Sequence, residues 1–247
     1  MKKILSALLI SSALLPSCKK DDAPAPEPVF NVDANGNVSL ANDAAGAMYA
    51  IYSKVYDDND GAVFFEFQTL AAWYGDYVNT KDAGIVKSNS FELDKFPGST
   101  YTWYFQVDAT TAFDPANGIV AWDVQGNSVS GIDGFTHSDN VPFPSGGYYT
   151  LSASIDISNS YTISHTAPGN VEGVVYSVLG NKGEFHKATM GHSTSVTFTS
   201  AEMNQAAFPN DAIGFSVMPV KVTILTYNGK KYGFVKQFQQ LRETITW

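Results

Sequence analysis

The feature that most constrains this fold lies near the end of the chain, where residues 213–226 and 231–245 flank Tyr227-Asn228-Gly229-Lys230. Asn-Gly suits the two left-handed positions of a type I′ turn, the tightest connection between antiparallel strands. Counting outward from that turn sets Ile224 opposite Gly233 and Val222 opposite Val235. Both strands are long, so a bend or bulge is expected near Pro219, which cannot donate to a ladder.

Strand signals recur upstream. Residues 47–56 suit a helical or a strand period, and Tyr49, Ile51, Tyr52 and Val55 favour a pleated surface. They meet residues 63–67 across Asp57-Asp58-Asn59-Asp60-Gly61, a loop whose residues tolerate left-handed backbone. That second strand can run on through Trp73 and Tyr74. Residues 84–93, 100–107 and 119–124 complete a first unit. Residues 126–147, rich in Gly, Ser, Asp and Pro, read as a boundary. Beyond it, segments 148–155, 161–165, 171–179, 184–188 and 195–198 precede the hairpin at the even spacing of an Ig-like or fibronectin-like sandwich. Thr199-Ser200-Ala201-Glu202 has capping-box spacing and predicts a short helix over residues 200–206. The expected fold is all-β, with two β-sandwich domains over residues 31–140 and 141–247.

Composition supports burial as the source of stability. The chain is 44% apolar and holds 16 Phe, 13 Tyr and 4 Trp, enough for two cores, while a single cysteine excludes an internal disulfide. Acidic residues outnumber basic ones 24 to 15, and no basic patch or arginine-rich segment is present, which argues against nucleic acid as a partner.

The one cysteine, Cys18, follows an apolar run over residues 4–15 and a basic start at Lys2 and Lys3. That run is too short to span a bilayer but has the length of a signal-peptide core. Leu15-Pro16-Ser17-Cys18 resembles a bacterial lipobox, which implies cleavage after residue 17 and acylation of Cys18. Lys19-Lys20-Asp21-Asp22 resembles the lysine-then-acid signals that send lipoproteins of Bacteroidetes-type bacteria to the external face of the outer membrane. The alternating prolines of Ala23-Pro24-Ala25-Pro26-Glu27-Pro28 favour polyproline II, so residues 18–30 read as a semi-rigid tether.

Three further stretches carry a wider likeness: Asp82-Ala83-Gly84-Ile85-Val86, Ala121-Trp122-Asp123-Val124 and Ser195-Val196-Thr197-Phe198-Thr199-Ser200-Ala201-Glu202. With them the mature chain resembles surface lipoproteins of the same bacteria that pair an N-terminal β-domain with a C-terminal Ig-like sandwich. That resemblance implies a fold and a location but no activity.

Catalytic and metal templates fail at identifiable positions. In the 57–61 loop, the first EF-hand ligand would be Tyr56 and the bidentate glutamate would be Phe67. A looser calcium site would draw on Asp76 or Asp82. His137, His165, His186 and His192 share no ligand spacing, and no cofactor motif is found. Gly126-Asn127-Ser128-Val129-Ser130 lacks the last glycine of a nucleophile elbow. Aromatic residues are the one excess. Trp73, Tyr74 and Tyr77 beside Asp76 form a candidate sugar-binding platform, in which rings stack on C–H faces and the carboxylate accepts from hydroxyls. The alternative is that Trp73 and Trp103 are core, and Tyr148-Tyr149, after two glycines, is open to the same two readings.

The expected function is that of a non-catalytic cell-surface lipoprotein, a binding or adhesion module with a glycan or a surface protein as partner. A secreted glycoside hydrolase and a structural component of a surface assembly are the alternatives. Because lipid on Cys18 is the expected membrane attachment, Cys18→Ser should move the protein from the membrane pellet to the soluble fraction. Retention in the pellet would place the anchor elsewhere.

Overall fold

A computed structural model describes residues 30–32, 38–40, 44–57, 62–75, 79–106 and 112–246. The signal, Cys18, the tether before Phe30, and the loop residues Asp58–Gly61 lie outside the described residues. Among the described residues the chain is all-β with one short helix. Its first half contains β1 (Phe30–Val32), β2 (Val38–Leu40), β3 (Ala44–Asp57), β4 (Ala62–Tyr74), β5 (Val86–Ser88) and β6 (Phe91–Glu92). These are followed by β7 (Asp94–Phe96), β8 (Thr100–Gln106), β9 (Val120–Val124) and β10 (Phe135–Asp139). The second half contains β11 (Ser154–Ile155), β12 (Tyr161–Ser164), β13 (Gly173–Gly180), β14 (Glu184–Met190) and β15 (Ser195–Phe198). It ends with α1 (Ser200–Ala206), β16 (Ala212–Tyr227) and β17 (Lys230–Thr246).

The terminal hairpin forms with the register counted from its turn: Ile224 faces Gly233 and Val222 faces Val235. Asn228 and Gly229 both have positive φ, 48° and 76°, as a type I′ turn requires. The bend or bulge expected near Pro219 inserts no residue, although the pairing with β17 passes over Met218 and Pro219. Val217 pairs with Gln240 and Val220 with Gln237, so the register is unchanged across the proline. The capping box also forms, with the Thr199 hydroxyl accepting from Glu202 N and the Glu202 carboxylate accepting from Thr199 N.

The two halves are not separate sandwiches. Among the described residues one sheet runs β14-β13-β16-β17-β3-β4-β8-β7, with β11 added beside β17. Its centre is a parallel pairing of β17 with β3, from Lys231 against Ala44 to Glu243 against Asp57. The boundary expected at 140/141 therefore does not divide two sheets, because the last strand of the second half is a neighbour of the first long strand of the first half. Residues 126–147, read as a domain boundary, supply β10, which pairs with β9. Residues 84–93, read as one strand, turn back as the β5–β6 hairpin, with Asn89 and Ser90 at positive φ.

Strand alternation gives the sheet two chemically distinct faces. On one face, Met48, Ala50 and Tyr52 of β3, Leu70, Ala72 and Tyr74 of β4, and Phe234 and Phe238 of β17 bury against Val86, Val120, Trp122 and Phe135 of the four-stranded sheet β10-β9-β5-β6. Farther along that face, Val174, Tyr176 and Val178 of β13 and Phe215 and Val217 of β16 bury against Ile163, Val196 and Phe198 of the β12–β15 pair and Met203 of α1. Both covers thus sit on the same side of one sheet.

Lys236 fastens the first cover. It points into the covered face of β17 between Phe234 and Phe238 and is only 1% exposed. An ammonium has three N–H donors, and three carbonyls surround this one: Gly118 O, Asp139 O at 3.0 Å and Val141 O at 2.5 Å. The Asp139 carboxylate, 3% exposed, lies 3.3 Å away and also accepts from Val141 N at 3.0 Å. Burial lowers the Lys236 pKa, and the nearby Asp139 carboxylate opposes that shift. Removing one member of a buried pair leaves the other charge uncompensated, at a cost of about 3–5 kcal/mol. Lys236→Ala should therefore lower unfolding free energy by about that amount in urea titration, whereas a matched change at exposed Lys95 should cost below about 1 kcal/mol.

Candidate functional site

The platform expected at residues 73–77 does not form. Trp73 and Tyr74 are consecutive on β4, so the pleat sends them to opposite faces. Trp73, 8% exposed, packs with Ala47, Val175, Val220, Val222 and Val235 on the face away from the two covers. Tyr74, 0% exposed, sits under the first cover with its ring edge-on to Tyr101 at 5.9 Å. Asp76 and Tyr77 lie outside the described residues. Neither described aromatic offers a ring to a ligand; both are core. Trp73→Ala should accordingly cost about 3–5 kcal/mol in chemical denaturation, the range for truncating a buried aromatic.

Asp82, the candidate loop ligand, is engaged by its own turn and by side chains of β7 and β8. Its carboxylate accepts from Gly84 N and the Tyr101 hydroxyl, each at 2.9 Å, and pairs with Lys95 at 2.8 Å. The Lys95 hydrogen bond and then the Gly84 N–H bring its pKa down to about 2. Among the described residues no three His, Cys, Asp or Glu side chains assemble as a metal site.

One nucleophile-like arrangement is present on the face away from the covers. His186 Nδ1 lies 2.8 Å from Ser177 Oγ, and its Nε2 lies 3.2 Å from Glu184 Oε2. The ion-pair distance is met without hydrogen-bond geometry, since Nε2 has no hydrogen-bonding partner. Ser177 is buried in the middle of β13, between β14 and β16, so the surrounding backbone N–H groups are committed to ladders on both sides. This is a poor setting for the free N–H donors that stabilise an oxyanion.

The arrangement best suited to recognition lies on the covered face, in the seam between the two covers. Alternation along β3 places Tyr52, Lys54 and Tyr56 there together. The parallel register sets Phe238 beside Tyr52, Gln240 beside Lys54 and Arg242 beside Tyr56. The antiparallel register on the other side brings Glu66 of β4 opposite Lys54. These pairings gather residues from distant parts of the sequence into one polar and aromatic patch.

Tyr148 and Tyr149 close the patch from above. Gly146 and Gly147 have positive φ, 80° and 74°, and a side chain at Gly147 would meet Pro219 at 3.0 Å and Val217 at 3.3 Å. The two glycines therefore let the chain lie directly on β16. Tyr149 then points inward, where its hydroxyl donates to Phe215 O at 2.5 Å. Its neighbour Tyr148 points outward, 50% exposed, with its ring 6.0 Å from that of Phe238. The Arg242 guanidinium stacks over Tyr56 at 4.2 Å and lies 5.5 Å from the Tyr149 ring.

Glu66 is the electrostatic centre of the patch. Its Oε1 pairs with Lys54 Nζ at 2.8 Å and its Oε2 accepts from the Tyr52 hydroxyl at 2.5 Å. Burial opposes ionisation of Glu66, but hydrogen bonds from Lys54 and Tyr52 outweigh it and hold the carboxyl below its ordinary pKa. Burial and then Glu66 push the Tyr52 hydroxyl up, so it remains a donor. Both members of the ion pair are partly exposed, so the pair contributes little to stability. Its consequence is orientation, a fixed carboxylate and ammonium side by side between tyrosine rings.

No protein-family model matches the chain, and no curated protein sequence does either. The functional reading therefore rests on the geometry. Of the seam residues, the sequence marks Tyr148 and Tyr149 as aromatic candidates and Glu66 as one carboxylate among several; Tyr52, Lys54, Tyr56 and Arg242 are legible only as strand residues. The Tyr-x-Lys-x-Tyr alternation of β3 was the available signal, but its value depended on which face of the sheet was left partly open.

Proposed function

We propose that this chain is a non-catalytic binding module carried at the external face of the outer membrane by lipid on Cys18, and that the seam is its binding surface. The observation that carries the reading is the conjunction of an exposed Tyr148 ring with an oriented Glu66–Lys54 pair in one partly open patch. Carbohydrates present apolar C–H faces and hydroxyl edges together, and aromatic rings beside fixed charged groups meet both demands without a deep, dry pocket. The charge run after Cys18 and the proline-rich tether support the location, since a spacer at about 3 Å per residue holds a module clear of the lipid.

The test is a glycan array probed with the Cys18→Ser chain, followed by calorimetric titration of the strongest ligand. Tyr148→Ala should weaken binding at least about tenfold, the scale of one lost aromatic anchor, with an unchanged thermal midpoint because the ring is half exposed. Full-strength binding by Tyr148→Ala would move the site away from the seam.

A further inference from the structure

Resting on that reading, we infer that the seam recognises a vicinal diol of a neutral pyranose, gripped by Glu66 and Lys54 together. The carboxylate and the ammonium are 2.8 Å apart and partly open to solvent. An ionised carboxylate has about four acceptor positions and an ammonium three donors. In the seam, Lys54 and Tyr52 each use one oxygen of Glu66, and Glu66 uses one donor of Lys54. Among the described residues, acceptor capacity remains on Glu66 and donor capacity on Lys54, side by side.

That pairing is complementary to two adjacent hydroxyls on a ring. One hydroxyl donates to the carboxylate while its neighbour accepts from the ammonium, and the two oxygens of a vicinal diol lie at a spacing close to that of the ion pair. A lone hydroxyl satisfies only one side. A carboxylated or sulfated sugar brings a charge that repels Glu66, which the Lys54 and Tyr52 hydrogen bonds keep ionised. The pair is internally neutral, so a neutral diol enters without leaving either charge uncompensated. The Tyr148 ring, exposed at the rim, supplies a stacking face for the C–H side of the same sugar.

Linkage chemistry offers a direct test. In a 1→4-linked hexose chain every internal residue keeps its 2,3-diol, whereas in a 1→3-linked chain the internal residues have no adjacent free hydroxyls. The full chain carrying Cys18→Ser would be titrated calorimetrically with 1→4- and 1→3-linked hexasaccharides of glucose, mannose and galactose. At least one 1→4-linked compound should bind at least tenfold more tightly than its 1→3-linked counterpart. Glu66→Gln, which keeps the shape but loses the charge, should remove that preference, and so should Lys54→Met. Affinity should also hold as pH falls through the ordinary carboxylate range and decline only below it, because the Glu66 pKa is depressed and protonation removes the acceptor. Equal binding of the two linkages, persisting when the terminal residues are O-methylated so that no end diol remains, would overturn the diol inference while leaving glycan recognition at the seam intact. Failure of every glycan, here and on the array, would overturn both. The linkage comparison needs no variant, so it decides the matter even if Glu66→Gln does not fold.

Discussion

The parallel pairing of β17 with β3 is the contact on which the rest of the structure depends. It joins a strand that begins at Lys230 to one that begins at Ala44, across most of the chain, and fuses two groups of antiparallel strands into a single sheet. A pairing of such sequence separation carries a large loop-closure cost, which only extensive burial offsets. The β17 strand provides it. Its covered face contributes Tyr232, Phe234 and Phe238 to one core, and its other face contributes Val235 to the cluster around Trp73.

That pairing also creates the candidate site. Each half brings its own cover, and both covers lie on the same side of the shared sheet. Between two covers built from different segments lies the seam, where the register brings Lys54, Glu66, Gln240 and Arg242 together. Charged side chains at such positions are tolerated because they stay partly exposed and paired. The contrast with Lys236 is instructive. On the same face of the sheet, but on β17 and beneath a cover, a lysine is fully buried, so backbone carbonyls and Asp139 must surround it. Burial makes Lys236 a structural fastener. Partial exposure leaves Lys54 able to meet a ligand.

Much of the local structure was legible in the sequence. Asn228-Gly229 determined the terminal turn and its register, because few residues adopt two successive positive φ values. Thr199 and Glu202 determined where the helix begins, through reciprocal hydrogen bonds three residues apart. The β character of residues 44–57 followed from the tyrosines and branched residues of that stretch. Misreadings arose where composition stood in for pairing. Residues 126–147 look like a domain boundary, yet their β10 strand is held by β9 and by the Lys236 cluster, contacts supplied by other parts of the chain.

The sequence by itself determined the all-β class, the hairpin, the helix cap and which residues of each strand share a face, since these depend on backbone preferences and a period of two. Only the tertiary structure decided which faces are covered. A run such as Trp73-Tyr74 reads equally as core or as an exposed aromatic platform until both sides of β4 are seen to be buried. The Tyr52, Lys54 and Tyr56 alternation reads as an ordinary strand until the face it occupies is seen to lie between two covers. The physical reason is that alternation is local, whereas burial depends on which distant strands pair and on where their covers end.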